Sequence, residues 1–260
     1  MQPIKFNARD GLEIEGFLTV PENGGSINLP MVLLVHGGPF DISDSWGFDQ
    51  EVQLLANRGY TVLQVNFRGS GNYGCSFVEK GHLQWGRTMQ DDLTGATRWA
   101  IAQGVADKNH ICICGGSYSG YAALMGTVRE PSLYACSIGN VGVYDLKQLY
   151  KDDAKVGWFL DKYFTNTMGN TNLEIISPTL RASEIRIPVL LGAGREDIIA
   201  LPLHTERMRD TIVKAGGSVD TVIYEGEGHG NYLLKNQVDW ASRVLNFLDG
   251  NIGSGSQTSK

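Results

Sequence analysis

The sequence predicts a doubly wound α/β fold: a mostly parallel central sheet flanked by helices, with an antiparallel hairpin at its N-terminal edge. Three observations predict it. Continuous apolar runs, MVLLV at 31–35, YTVLQV at 60–65 and ICIC at 111–114, are of the kind buried on both faces of a sheet. Segments with helical spacing of apolar residues separate the runs. Glycine-rich stretches end them, and the carboxyl edge of an open parallel sheet is where ligands bind.

Residues 3–7 and 12–20 read as two strands joined at Asp10-Gly11, a hairpin signal. A loop over 22–28 follows, and Pro30 leads into the first buried strand, which ends at His36-Gly37-Gly38-Pro39. Val52, Leu54, Leu55 and Ala56 suit a helix over 49–57, closed by Arg58-Gly59. After the strand at 60–65, NFRGSGNYG is too rich in glycine for a helix or a strand interior and is placed as a loop at the same sheet edge. Met89, Leu93, Ala96, Trp99, Ala100 and Ile101 pattern a helix over 88–103, whose Asp91 and Asp92 sit well with its dipole. The run ICIC leads through Gly115-Gly116-Ser117 into a helix over 118–129, and 134–139 reads as the next strand.

Between Tyr144 and Ser177 the rhythm stops. Tyr150, Trp158, Phe159, Tyr163 and Phe164 sit there among charges, which reads as a helical insertion with most rings packing and a minority lining a pocket. Strand (187–191), helix (203–215), strand (221–225) and helix (232–248) complete a domain over residues 1–250, and 251–260 reads as a flexible tail or linker.

With 22 basic against 28 acidic residues and a net charge of -6, there is no basic stripe for a nucleic acid partner. No apolar run is long enough to span a bilayer and the N-terminus has no leader pattern, so a cytoplasmic protein without a membrane partner is expected. Cys112 and Cys114 share one face of a predicted strand, and two small buried hydrophobes are the reading preferred over a metal or redox pair.

The chemistry gathers at the strand exits. A serine on a sharp strand-to-helix turn needs small neighbours, and Gly115, Gly116, Ser119 and Gly120 supply them around Ser117. A phosphate cradle or plain tight packing are alternative readings of such a turn. A serine hydroxyl needs a base, and the base needs an orienting group. Of five histidines, His229 is the best base, flanked by glycines after the last long strand. His36, at a strand end, is also placed to touch the site. Asp197, just after the preceding strand, is the orienting acid, with Glu196 the neighbouring alternative. Ser117, Asp197 and His229 fall in the chain order Ser, Asp, His of α/β-hydrolases. Oxyanion donors are expected from the backbone N–H of Tyr118 and from Gly37 or Gly38.

LPMVLLVHGGP, WGFDQEVQLLANRGYTVLQVNFRGSGNYG, ICICGGSYSGYAAL and YEGEGHG together resemble the catalytic domain of the prolyl oligopeptidase family, especially its acylaminoacyl-peptidase and dipeptidyl-peptidase-like members. The resemblance implies an α/β-hydrolase fold and a serine peptidase with no metal or organic cofactor. It maps the triad onto Ser117, Asp197 and His229, the HGGP loop onto residues 36–39 and the oxyanion donors onto Tyr118 and Gly38; His36, Gly37, Tyr73 and Trp158 are the candidates for the substrate pocket. The expected activity is hydrolysis of amide bonds in short peptides or acylated amino acids through an acyl-enzyme on Ser117. A carboxylesterase acting on small acyl esters and an inactive binding protein are the alternatives. Three departures stand out: Ser119 replaces the usual glycine, Ile199 stands where many members have arginine, and residue 1 falls almost at the first hydrolase strand where family peptidases usually carry a β-propeller, so the chain is expected to be either an excised catalytic domain or a free-standing hydrolase. An uncovered face of this kind makes a homo-oligomer an expectation as well.

Overall fold

Eight strands form one sheet in the order β1-β2-β4-β3-β5-β6-β7-β8. They are β1 (Gln2–Asn7), β2 (Glu13–Thr19), β3 (Leu29–Val35), β4 (Thr61–Asn66), β5 (Ala106–Gly116), β6 (Cys136–Asn140), β7 (Val189–Gly194) and β8 (Val219–Tyr224). The structure is a computed structural model and describes residues 1–22, 27–156 and 158–253, without the side chains of 153–160. β1 pairs antiparallel with β2 and β2 with β4, and every other pairing is parallel, as the hairpin signal and the buried runs predict. The helices are α1 (Gln50–Ala56), α2 (Cys75–Glu79), α3 (Thr88–Ala102), α4 (Tyr118–Arg129), α5 (Leu146–Val156), α6 (Trp158–Thr167), α7 (Pro202–Lys214) and α8 (Leu234–Asn251).

The unbroken apolar run of β3 follows from burial on both faces. Met31, Leu33 and Val35 join one core with Leu93 and Ala96 of α3 and Leu124 of α4. Val32 and Leu34 join a second core with Val52 and Leu55 of α1 and Val244, Leu245 and Leu248 of α8. Fully burying one such side chain is worth about 1.5–3 kcal/mol, so a polar residue at any of these positions would work against the sheet. Arg68, 6 % exposed, reaches Asp92 of α3 at 2.8 Å and Asp10 of the hairpin at 2.8 Å, tying the antiparallel edge to the helical layer.

The structure departs from the expectations at several places. β5 begins at Ala106, well before ICIC, because Leu29 pairs with Ala106 across a register shift and carries the polar stretch DKNH into the sheet. The short α2 and a 3₁₀ turn over Pro178–Glu184 were not expected. Cys112 is bridged to Cys136 of the adjacent strand β6, so it is not a lone small hydrophobe, whereas Cys114 is a buried free thiol. α8 runs to Asn251 and Ile252 is 1 % exposed in the second core, which puts the start of the expected tail inside packed structure; residues 254–260 lie outside the described ones. Residues 144–177 contain α5 and α6, held together by the Tyr150 hydroxyl against Asp161 at 2.7 Å and Thr165 at 2.8 Å. No helix among the described residues is long and apolar enough to cross a membrane.

Candidate active site

β3 lies between β4 and β5, so the chain leaves the sheet in opposite directions on either side of it, and a crevice opens outside these carboxyl ends. β5 delivers Ser117 there with φ 60° and ψ -124°, a backbone conformation that a residue with a side chain adopts only when its surroundings hold it. The surroundings are visible. Ser117 N–H donates to the Asn140 carbonyl at the end of β6, at 2.9 Å. A side chain at Gly120 would meet Asn140 O at 3.2 Å and Gly142 Cα at 3.1 Å, so the first turn of α4 approaches that strand end as closely as glycine permits.

Ser119, the departure from the family pattern, is accommodated and bonded. It is fully buried, its hydroxyl donates to Gly116 O at 2.6 Å, and it accepts from Gly116 N–H at 2.9 Å. A Cβ at Gly115 would stand 2.5 Å from Ser119 Cβ, so the glycine at 115 makes the room that serine at 119 needs. Replacing Ser119 by alanine is expected to leave both Gly116 groups without that partner and to lower the unfolding free energy by about 1–3 kcal/mol. Urea unfolding measures this, and an unchanged midpoint would mean that the clasp contributes nothing.

His229 Nε2 lies 2.9 Å from Ser117 Oγ, and His229 Nδ1 lies 2.8 Å from Asp197 Oδ2. Asp197 is 2 % exposed, and its other oxygen accepts from Ile199 N–H at 2.8 Å and Ala200 N–H at 2.9 Å, which fixes the carboxylate plane. Glu196, the neighbouring alternative, is exposed and its N–H donates to Glu227 O at 2.9 Å. An ionised carboxylate only accepts, so Asp197 requires the proton on Nδ1 and leaves the Nε2 lone pair facing the Ser117 hydroxyl.

The β8–α8 loop holds His229 through a residue that the sequence reading passed over. Glu227 is fully buried and accepts from Tyr232 N–H at 2.9 Å, Leu233 N–H at 2.9 Å and the Asn236 amide at 2.7 Å, and these bonds hold its carboxyl below the usual range despite burial. Its spacing of two before the histidine and five before the first bonded amide is the only signal it leaves in the sequence.

A cavity of about 340 Å³ opens beside Ser117. Trp85, Tyr118, Val143, Tyr163, Phe164 and Ile199 supply most of its wall, and Gly38 lies at its edge with φ 118°. The peptide N–H of Tyr118, at the first position of α4, falls among the helix-start amides that no intrahelical carbonyl can reach.

The other expected pocket residues lie elsewhere. His36 is buried, stacked on Phe67 at 4.4 Å, with Nδ1 on Gly37 O at 2.8 Å and Nε2 on Ser70 Oγ at 2.8 Å, so both ring nitrogens are used in holding the loop. Burial pushes its pKa down to about 4, against the carbonyl of Gly37, which keeps the ring neutral. His36 and Gly37 line a different cavity from the one at Ser117. Tyr73 accepts from the Asn66 amide at 2.9 Å, packs on Phe77 and is not part of the Ser117 cavity wall. The Trp158 side chain lies outside the described residues. No cluster of His, Cys, Asp or Glu among the described residues has the arrangement to hold a metal ion.

The prolyl oligopeptidase family matches residues 46–255. The chain is 36% identical to dipeptidyl aminopeptidase BIII of Pseudoxanthomonas mexicana over 95% of its own length and 38% of the relative's. It is 28% identical to dipeptidyl peptidase family member 6 of Caenorhabditis elegans over 97% of its length, again 38% of the relative's, so it spans under two-fifths of these proteins. Among solved structures, a puromycin-hydrolyzing peptidase of Mycobacterium tuberculosis superposes with a TM-score of 0.91 at 25% identity, covering 97% of this chain and 39% of that one. A match over most of the chain, together with an α/β-hydrolase sheet, establishes that this chain belongs to the prolyl oligopeptidase family.

Proposed function

We propose that the chain is the catalytic unit of a serine peptidase that cleaves amide bonds of short peptides or acylated amino acids through an acyl-enzyme on Ser117. The observation that carries this reading is the hydrogen-bonded relay Ser117–His229–Asp197, at 2.9 and 2.8 Å, at the mouth of an apolar cavity. His229 Nε2 takes the Ser117 proton as Oγ attacks the scissile carbonyl. The N–H groups of Tyr118 and Gly38 donate to the oxyanion as it forms. His229 then gives its proton to the leaving amine, and a water repeats the sequence to free the acid.

The acyl side chain occupies the cavity. Its wall of rings and aliphatic groups suits a medium apolar residue such as leucine or phenylalanine and, among the described residues, offers no counter-charge to an acidic or basic one. Esterase action on small acyl groups is the second reading. Ile199, 60 % exposed at the cavity mouth, is the observation that favours it, because no cation stands at that position to hold a peptide carbonyl. Turnover of aminoacyl p-nitroanilides against p-nitrophenyl esters separates the two. Hydrolysis of the phenylalanyl and leucyl anilides is expected, and activity confined to the esters would reject the peptidase reading.

A further inference from the structure

Behind the elbow lies a second cavity, of about 280 Å³. Asp44, Asp49 and Glu51 line it together with Gln64, Asn140 and Trp240, and among the described residues no lysine or arginine does. The basic side chain in its wall, His36, is kept neutral by burial and has both ring nitrogens engaged. Gln64 is 3 % exposed and its Oε1 has no partner, and Asp44 Oδ2 and Asn140 Oδ1 are also without one among the described residues. Buried acceptors are as a rule paired, so a wall with three open acceptors and excess carboxylate is built for donors carrying positive charge. Burial pushes the Asp44 carboxyl up to about 7, against the Gln64 amide and with Asp49 adding to the rise, so an arriving cation would restore its charge.

No group of His, Cys, Asp and Glu among the described residues is arranged to hold a metal ion, and the spread of acceptors suits an extended cation with several N–H groups. Trp240 offers the apolar surface that the alkyl stem of such a group needs. The cavity's position identifies its source. The acidic and apolar cavities share no lining residue, yet they adjoin along the chain at Gly37 and Gly38 and again at Gly116 and Ser117. The Gly37–Gly38 and Gly116–Ser117 backbone thus separates the two cavities. Beyond the acidic cavity, Glu51, Asn140 and Trp240 also line a groove of about 320 Å³ between α1 and α8.

We propose that the acidic cavity is a subsite for a primary ammonium or guanidinium, brought by a lysine or arginine side chain just after the scissile bond. This rests on the peptidase reading, in which the acyl residue fills the apolar cavity and the leaving segment lies on the other side of Ser117. A basic leaving residue then gains a charge-assisted contact that a neutral isostere lacks.

The test compares alanyl-phenylalanyl-lysine amide with alanyl-phenylalanyl-norleucine amide. A kcat/KM about tenfold higher for the lysine peptide is expected, since hydrogen bonds to charged groups are among the stronger single contacts. Asp44→Asn should remove most of that preference, and Glu51→Gln part of it. Both variants should hydrolyse phenylalanyl p-nitroanilide, which has no basic leaving residue, as the parent does, and this also reports that they fold. Equal kcat/KM for the two peptides, or a lysine preference untouched by Asp44→Asn, would overturn the proposal. A binding arm reads the cavity without catalysis: arginine amide is titrated calorimetrically into Ser117→Ala, with and without Asp44→Asn. Binding that requires Asp44, where the unsubstituted protein cleaves no peptide, would sink the peptidase reading and with it the leaving-residue assignment, and would mark the site as one for free amines. Absence of binding in a protein that does cleave peptides would count against the subsite alone.

Discussion

Ser117→Ala is expected to lower turnover of a phenylalanyl anilide by about a millionfold, the loss seen when the nucleophile is removed from other serine triads. The elbow is held by the Asn140 carbonyl, by Ser119 on Gly116 and by the close approach of Gly120 to β6, and none of these uses the Ser117 hydroxyl. The apolar cavity and the Tyr118 and Gly38 amides also persist. Substrate affinity should therefore change little, and residual hydrolysis should be that of water attacking a polarised carbonyl. Steady-state kinetics with an unchanged far-UV circular dichroism spectrum check this. A loss of only tenfold would assign the chemistry to another group.

Asp197→Asn is expected to cost about ten-thousandfold in kcat at neutral pH while leaving the fold in place, again by comparison with other triads. Asparagine keeps an oxygen for the Ile199 and Ala200 amides, which Asp197 Oδ1 now serves at 2.8 and 2.9 Å. Its NH₂ group then replaces Oδ2 opposite His229. An N–H donor there turns Nδ1 into the acceptor and moves the ring proton to Nε2, where it points at Ser117 instead of receiving its proton. The effect is smaller than that of Ser117→Ala because nucleophile and oxyanion donors remain. Kinetics on the purified variant measure it, and wild-type turnover would show that His229 needs no carboxylate partner.

The parts of the site that depend on strand exits were readable in the sequence. Ser117, Asp197 and His229 each follow a buried run and stand among glycines or in a loop, so their positions follow from topology once the parallel sheet is inferred. What depends on side-chain direction was not readable. His36 and Gly37 sit in the loop expected to face the substrate, yet they line the cavity behind the elbow, because the His36 ring turns onto Phe67 and Ser70. Trp85, Tyr163 and Phe164 reach the Ser117 cavity from separate elements, and no spacing between them signals it. The Cys112–Cys136 bridge joins cysteines 24 residues apart and needs the register of two strands, which periodicity within either strand does not carry. Ser119 is the instructive case. Judged against the usual glycine it reads as a bulky intrusion, whereas the three-dimensional arrangement pairs it with Gly115 and gives its hydroxyl two backbone partners.

The central claim is that Ser117 is an activated nucleophile. Incubating the folded protein with a fluorophosphonate probe and mapping the modified peptide by mass spectrometry tests it directly. The account predicts one adduct per chain, on Ser117, abolished by Ser117→Ala and strongly slowed by Asp197→Asn. No adduct on the folded protein, or equal labelling of Ser117→Ala, would contradict it.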